Sequence, residues 1–180
     1  GLGDVYKRQL YEQGGVYLDT DVELLRPFGD LLELSGFAGF EDAEHVATCV
    51  LGAEKEHGFF RQAMELYEGR TFLREGGEPD LTTNVEILTG LLGRNGLEPD
   101  GARQSVMGME IFPAEYFSPR SLETGKLTKT GNTYAIHWFE ASWQTGSQRF
   151  HRKVAQVIGK KNTERLKKLL GRSGGPASSG

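Results

Sequence analysis

The hydrophobic pattern of this chain switches repeatedly between a period of two and a period near 3.6. In "VYLDTDVE", residues 16–23, Val16, Leu18, Thr20 and Val22 fall on one side, and Tyr17, Asp19, Asp21 and Glu23 on the other, as in a strand with one polar face. Gly14 and Gly15 precede it and stop a helix ending near Leu10 and Tyr11. "FAGFED" (37–42) predicts a second short strand, and "TCVLGAEK" (48–55) can hold a third. In "HGFFRQAMELYEG" (57–69), Phe59, Phe60, Ala63, Met64 and Tyr67 recur at helical spacing, with Gly69 as a stop. "REGGEPD" is a loop, and "LTTNVEILTGLLGRNG" (81–96) predicts a helix with Thr83 and Glu86 at capping-box spacing. A strand is expected over 109–112, then a proline-bounded loop, and another strand in "TYAIHWFEASW" up to Trp138. Across 150–170, Val154, Val157, Ile158, Leu166, Leu169 and Leu170 suggest an amphipathic helix broken at Gly159. Strands and helices alternate, which places the chain in the α/β class.

Length and composition change this picture little. At 180 residues, the chain suits one domain with a real core, and its charged and apolar fractions are ordinary. No apolar run reaches the roughly 18–20 residues that cross a bilayer, and no secretory signal pattern is visible. The lone Cys49 allows no internal disulfide, suits a reducing compartment, and reads as a small buried apolar residue.

Charge is more informative. Nine of the 21 Lys/Arg, against one of the 25 Asp/Glu, fall between Arg149 and Arg172, leaving twelve basic and twenty-four acidic residues elsewhere. An acidic body with a basic tail does not fit a nucleic-acid-binding domain, whose positive charge would cover the folded face. The tail (149–172) is accounted for as a solvated helix face; a basic amphipathic helix can also lie on anionic lipid. The last residues, 173–180, have the composition of a disordered end.

The candidate chemistry begins with Asp19 and Asp21. In an extended chain residues i and i+2 project the same way, so the two carboxylates share a face at the strand's C-terminal end, where open α/β sheets bind ligands. Two carboxylates suit a hard divalent cation, Mg²⁺ or Mn²⁺. By spacing alone, a solvated acidic edge is the better account.

The longer stretch "YEQGGVYLDTDVELLRPF" resembles the signature of the DXD-containing sugar-binding glycosyltransferases, which include capsule and lipopolysaccharide-type transferases and initiating mannosyltransferases. Further pieces follow in the same order: "GFED", "GAEKEHGFF", "TTN", "FPAEYFSP" and "HWFEASW". The resemblance runs from Leu10 to about Trp143. It implies a GT-A-like nucleotide-sugar transferase fold, a mixed sheet flanked by helices, and transfer of a hexose with retention from a nucleotide-sugar donor to a glycan or lipid-linked acceptor in surface polysaccharide synthesis. A cytoplasmic location is expected, and the basic tail would allow peripheral contact with the inner face of the membrane.

By the same resemblance Asp21 is a direct ligand of Mn²⁺ or Mg²⁺. Asp19 binds the donor's ribose or sugar, or the metal through water, and Tyr17 belongs to the donor site. His137, in an H-x(4)-S-W block, is a third metal ligand, and Ser142 and Trp143 donate to the β-phosphate. Thr83 and Asn84 would line the donor-sugar pocket, although a helix cap accounts for Thr83 without any ligand. Retention without an evident nucleophile points to front-face attack assisted by the departing phosphate, so no catalytic base is nominated. The alternatives are a non-catalytic carbohydrate-binding or scaffold domain, and an inactive fragment of the transferase.

The fragment alternative comes from the start of the chain. "DVYKRQ" resembles the translation of a sequencing-library adapter, so residues 1–9 are expected to be a non-native leader. The catalytic domain would then span 10–148 and lack the N-terminal strands of its sheet. The other account of 1–9 is a short polar first helix ending at Glu12 and Gln13.

Overall fold

Where a strand is buried on both sides, its alternation separates two cores instead of core from water. The computed structural model describes residues 2–67 and 82–139, and shows this in the central strands. Among the described residues, seven strands form two sheets. β1 (Gly15–Leu18), β3 (Gly36–Gly39), β4 (Val50–Ala53), β5 (Gln104–Val106) and β6 (Met109–Phe112) make a five-stranded sheet in the order β1-β4-β3-β6-β5. β3 and β6 run parallel and the other pairs antiparallel, so the sheet is mixed. β2 (Val22–Leu24) and β7 (Ala135–His137) form a separate antiparallel pair.

Three helices supply the first core. α1 (Leu2–Gln13), α2 (Gly58–Glu65) and α3 (Asn84–Arg94) contribute Leu10, Phe59, Phe60, Leu88 and Leu92 against Ala38, Leu51 and Ile111 of the sheet. The next residues along the same strands, Phe37, Val50 and Phe112, face a second core with Phe28, Leu31, Cys49, Phe117, Tyr134 and Ala135. Each large apolar side chain fully buried here contributes about 1.5–3 kcal/mol relative to exposure. The chain is therefore mixed α/β, with a mixed sheet flanked by helices. Among the described residues no helix is long and apolar enough to cross a membrane.

Local chemistry accounts for the element ends. α3 carries a complete capping box: Thr83 Oγ1 accepts from the Glu86 N–H at 3.2 Å, and Glu86 Oε2 accepts from the Thr83 N–H at 2.7 Å. α2 is capped by His57, whose Nδ1 accepts from the Phe59 N–H at 3.2 Å. Gly14 closes α1 at φ +70°, and a Cβ there would meet the Lys55 nitrogen at 2.7 Å. α1 runs unbroken from Leu2 to Gln13, with Tyr6 and Lys7 buried.

Three expectations change. The single strand expected over 16–23 is two strands separated by a turn at 19–21, and Leu18, expected to anchor it in the core, is 37 % exposed. α2 stops at Glu65 with Leu66 as its cap, ahead of the residues outside the description that include Gly69. β5 had no visible pattern, because a three-residue strand is too short to show one. The segments 68–81 and 140–180, hence Ser142, Trp143, the basic tail and the chain end, lie outside the described residues. The chain divides into two units, Gly1–Arg120 with Thr128–Trp138, and Ser121–Leu127 with Phe139–Gly180. In the second, the described part is a tight turn in which the Ser121 N–H donates to the Lys126 carbonyl at 2.9 Å.

Candidate metal centre

The turn at 19–21 begins where β1 leaves the five-stranded sheet. The Asp19 N–H still donates to the Cys49 carbonyl at 2.9 Å, continuing the β1–β4 ladder by one bond. The Val22 N–H then donates back to the Asp19 carbonyl at 3.1 Å, closing a tight turn. From Val22 the chain joins β7 instead, with Val22 opposite His137. The Trp138 N–H donates to the Asp21 carbonyl at 3.0 Å, and the His137 N–H to the Phe117 carbonyl at 3.2 Å. β7 is held beyond this pairing as well. The Leu25 N–H donates to the Tyr134 carbonyl at 2.8 Å, Arg26 stacks 3.6 Å over the Tyr134 ring, and the Tyr134 hydroxyl donates to Asp30.

Backbone pairing thus brings together residues from opposite ends of the described chain. One ligand atom each from Asp19, Asp21 and His137 lies within 4.8 Å of the others. His137 Nε2 stands 3.4 Å from Asp21 Oδ1, and these two side chains are 14 % and 17 % exposed, covered but open to a small ion. The Tyr17 hydroxyl donates to Asp19 Oδ1 at 2.6 Å. Burial, followed by this bond and the nearby carboxylates, pushes the Tyr17 phenol well above its ordinary range, so it stays a donor at any physiological pH.

Burial lowers the His137 pKa below its ordinary value of 6.5, opposed by the charges of Asp21 and Asp19. The unprotonated ring that a metal requires is therefore the favoured form. The sign of the pH effect follows. Below pH 6.5 the unfolded chain takes up this proton before the folded one, so stability is fully present above that value and declines as pH falls through the lowered folded pKa. In metal-free buffer, wild type is expected to lose more melting temperature than His137→Gln between pH 7.5 and pH 5. Parallel losses would contradict this assignment.

Two further residues flank the cluster and escaped notice in the sequence. Arg120 donates through one guanidinium nitrogen to the Trp138 carbonyl, and its charge acts on His137. Glu41, after the end of β3, is raised above the usual carboxylate range by burial first and the Asp42 charge second, with Asp19 adding to the effect. "FSPR" and "GFED" contain them, but neither stretch has a pattern that marks one residue as chemical. Cys49, beside Asp19 through its carbonyl, is buried, and its thiol is pushed up to about 12 by burial; it is the inert apolar residue expected.

The remaining candidates lie apart from the cluster in their bonding. Thr83 Oγ1 is engaged in the α3 cap, and Asn84 Oδ1 accepts from the Tyr67 hydroxyl at 2.7 Å and from Lys7 Nζ at 3.4 Å. Both side-chain oxygens therefore serve the fold. No protein-family model, curated protein or solved structure matches this chain.

Proposed function

We propose that this chain is a GT-A-type glycosyltransferase that moves a hexose, with retention, from a nucleotide-sugar donor to a glycan or lipid-linked acceptor, using Mn²⁺ or Mg²⁺. The observation that carries the reading is the convergence of Asp19, Asp21 and His137 within 4.8 Å, the same three positions that the sequence resemblance names for the metal. The donor set fits: two carboxylates supply the hard oxygen ligands that Mg²⁺ and Mn²⁺ take, and Mn²⁺ accepts a neutral imidazole beside them more readily than Mg²⁺ does.

Breaking a sugar–phosphate bond builds negative charge on the departing diphosphate, and a bound divalent cation stabilises that charge where it develops. The protein's own residues prepare the place. Asp21 is held beside His137 by the Trp138 N–H on its carbonyl at the end of the β2–β7 pairing, and Asp19 by its bond to the Cys49 carbonyl just ahead of β4. Two carboxylates balance a divalent cation, and the Arg120 charge that acts on His137 offsets the Glu41 carboxyl that flanks Asp19. One of the five Arg120 N–H donors is engaged at Trp138. Donor binding by Thr83, Asn84, Ser142 and Trp143 remains part of the proposal from resemblance. So does peripheral contact of the basic tail with the inner face of a membrane.

The test is a panel of nucleotide sugars assayed for release of nucleoside diphosphate. Turnover of one donor with Mn²⁺ or Mg²⁺, abolished by EDTA and restored by metal, is the expected outcome. Carbohydrate binding that ignores metal, with no donor turnover, would favour a non-catalytic binding domain instead.

A further inference from the structure

Tyr17 and Asp19 are two residues apart on a chain that is extended as far as Leu18, so their side chains leave the same side of β1. Their bond is short, 2.6 Å from the phenol oxygen to Asp19 Oδ1. The ring has its own structural employment, stacked on Tyr6 with centroids 4.4 Å apart and planes at 23°. Phenylalanine would satisfy that contact equally well. What the hydroxyl adds is a grip on one carboxylate oxygen.

That grip has a consequence for the cluster. An aspartate beside a turn is free to rotate about two side-chain bonds, and ordering it on ligand binding costs conformational entropy. A donor fixed on Oδ1 removes the rotation in advance and leaves Oδ2, with its lone pairs, as the oxygen to present. Asp21 differs: the group facing it is His137, another member of the cluster. Asp19 is held from outside, by a residue of β1 whose ring is stacked on Tyr6 of α1.

We infer that Tyr17 is a positioning residue that orients Asp19 for a divalent cation, and is not itself a contact for the sugar donor. This rests on the reading of Asp19, Asp21 and His137 as a cation site. Hydrogen-bonding partners one step behind metal ligands have a typical effect, a 10–100-fold change in affinity.

The experiment titrates the full chain with Mn²⁺ alone, following free ion by electron paramagnetic resonance, with no donor present. Tyr17→Phe is expected to weaken binding about 10–100-fold while melting close to wild type. Asp19→Ala and the double variant Tyr17→Phe/Asp19→Ala are expected to bind equally, because the hydroxyl acts only through Asp19. Unchanged affinity in Tyr17→Phe overturns the inference, as does a further loss in the double variant. If wild type binds no Mn²⁺, the cation-site reading itself fails and the inference falls with it. A measurement on wild type alone covers poor folding of the variant. The hydrogen-bonded Tyr17 hydroxyl proton is expected downfield in the NMR spectrum and retained when Mg²⁺ is added; its disappearance would mean that the cation displaces the phenol and that Tyr17 competes for Asp19.

Discussion

Asp21→Asn is expected to lower metal-dependent donor turnover by about 10³-fold, since several kcal/mol of charge stabilisation depend on the metal and each 1.36 kcal/mol is tenfold. The substitution keeps the shape of the side chain and removes its charge. It leaves the backbone untouched: the Asp21 carbonyl still accepts from the Trp138 N–H, so β2 and β7 remain in register. His137 loses a neighbouring charge that had favoured its protonated form, so the ring stays neutral and the remaining donors keep their places. The effect should therefore appear in nucleoside diphosphate release and Mn²⁺ affinity, with little change in melting temperature. Turnover at the wild-type rate, or wild-type turnover that EDTA does not touch, would sink the proposed function.

Gly52→Ala should give the largest loss of stability among conservative single changes. Gly52 lies in β4, opposite Val16 on one side and Phe37 on the other. A Cβ built at position 52 would fall 2.0 Å from Phe37 Cε1 and 2.4 Å from its Cζ, far inside contact distance. Phe37 is itself packed against Phe28 and Phe117, with ring centroids 5.8 Å and 5.9 Å away, so it has nowhere to retreat. Overpacking of this kind costs about 1–3 kcal/mol, or roughly 2–4 °C of melting temperature per kcal/mol at this chain length.

The same change carries a functional signature. Relief of the clash requires β4 to shift, and the Cys49 carbonyl that holds the Asp19 N–H lies just ahead of β4. Mn²⁺ affinity should therefore fall together with stability. Gly52→Ala/Phe37→Leu, which vacates the ring, should recover part of both. A Gly52→Ala protein that melts like wild type would show that the sheet accommodates a methyl group there.

How legible each feature was depended on how local its cause is. The α3 cap could be read from Thr83 and Glu86 because four consecutive residues contain every atom involved. The Gly14 stop, the apolar face of α2 and the strands at 36–39, 50–53 and 109–112 were legible for the same reason: period and punctuation are properties of short segments. β5 was not, and neither was the division of 16–23. Alternation continues through Asp19 and Asp21 whether or not the backbone turns there. The turn is decided by which strand offers hydrogen bonds next, and β7 does so from far along the chain. Leu18 shows the cost of assuming one continuous strand, since its expected core lies elsewhere and the residue is left 37 % exposed.

The candidate site divides along the same line. Asp19 and Asp21 stood out in sequence as an acidic pair after a Gly-Gly turn, and the bond from Tyr17 to Asp19 is a matter of two residues. By itself, then, the sequence determined the α/β class, most element positions, the α3 cap, the Gly14 stop and the presence of closely spaced carboxylates, because backbone sterics and neighbouring side chains act over a few residues. The meeting of His137 with Asp21, the charge of Arg120 beside it and the burial that keeps the imidazole neutral were decided only by tertiary structure. Those arise from strand pairing and desolvation, which depend on groups that the chain brings together only when it folds.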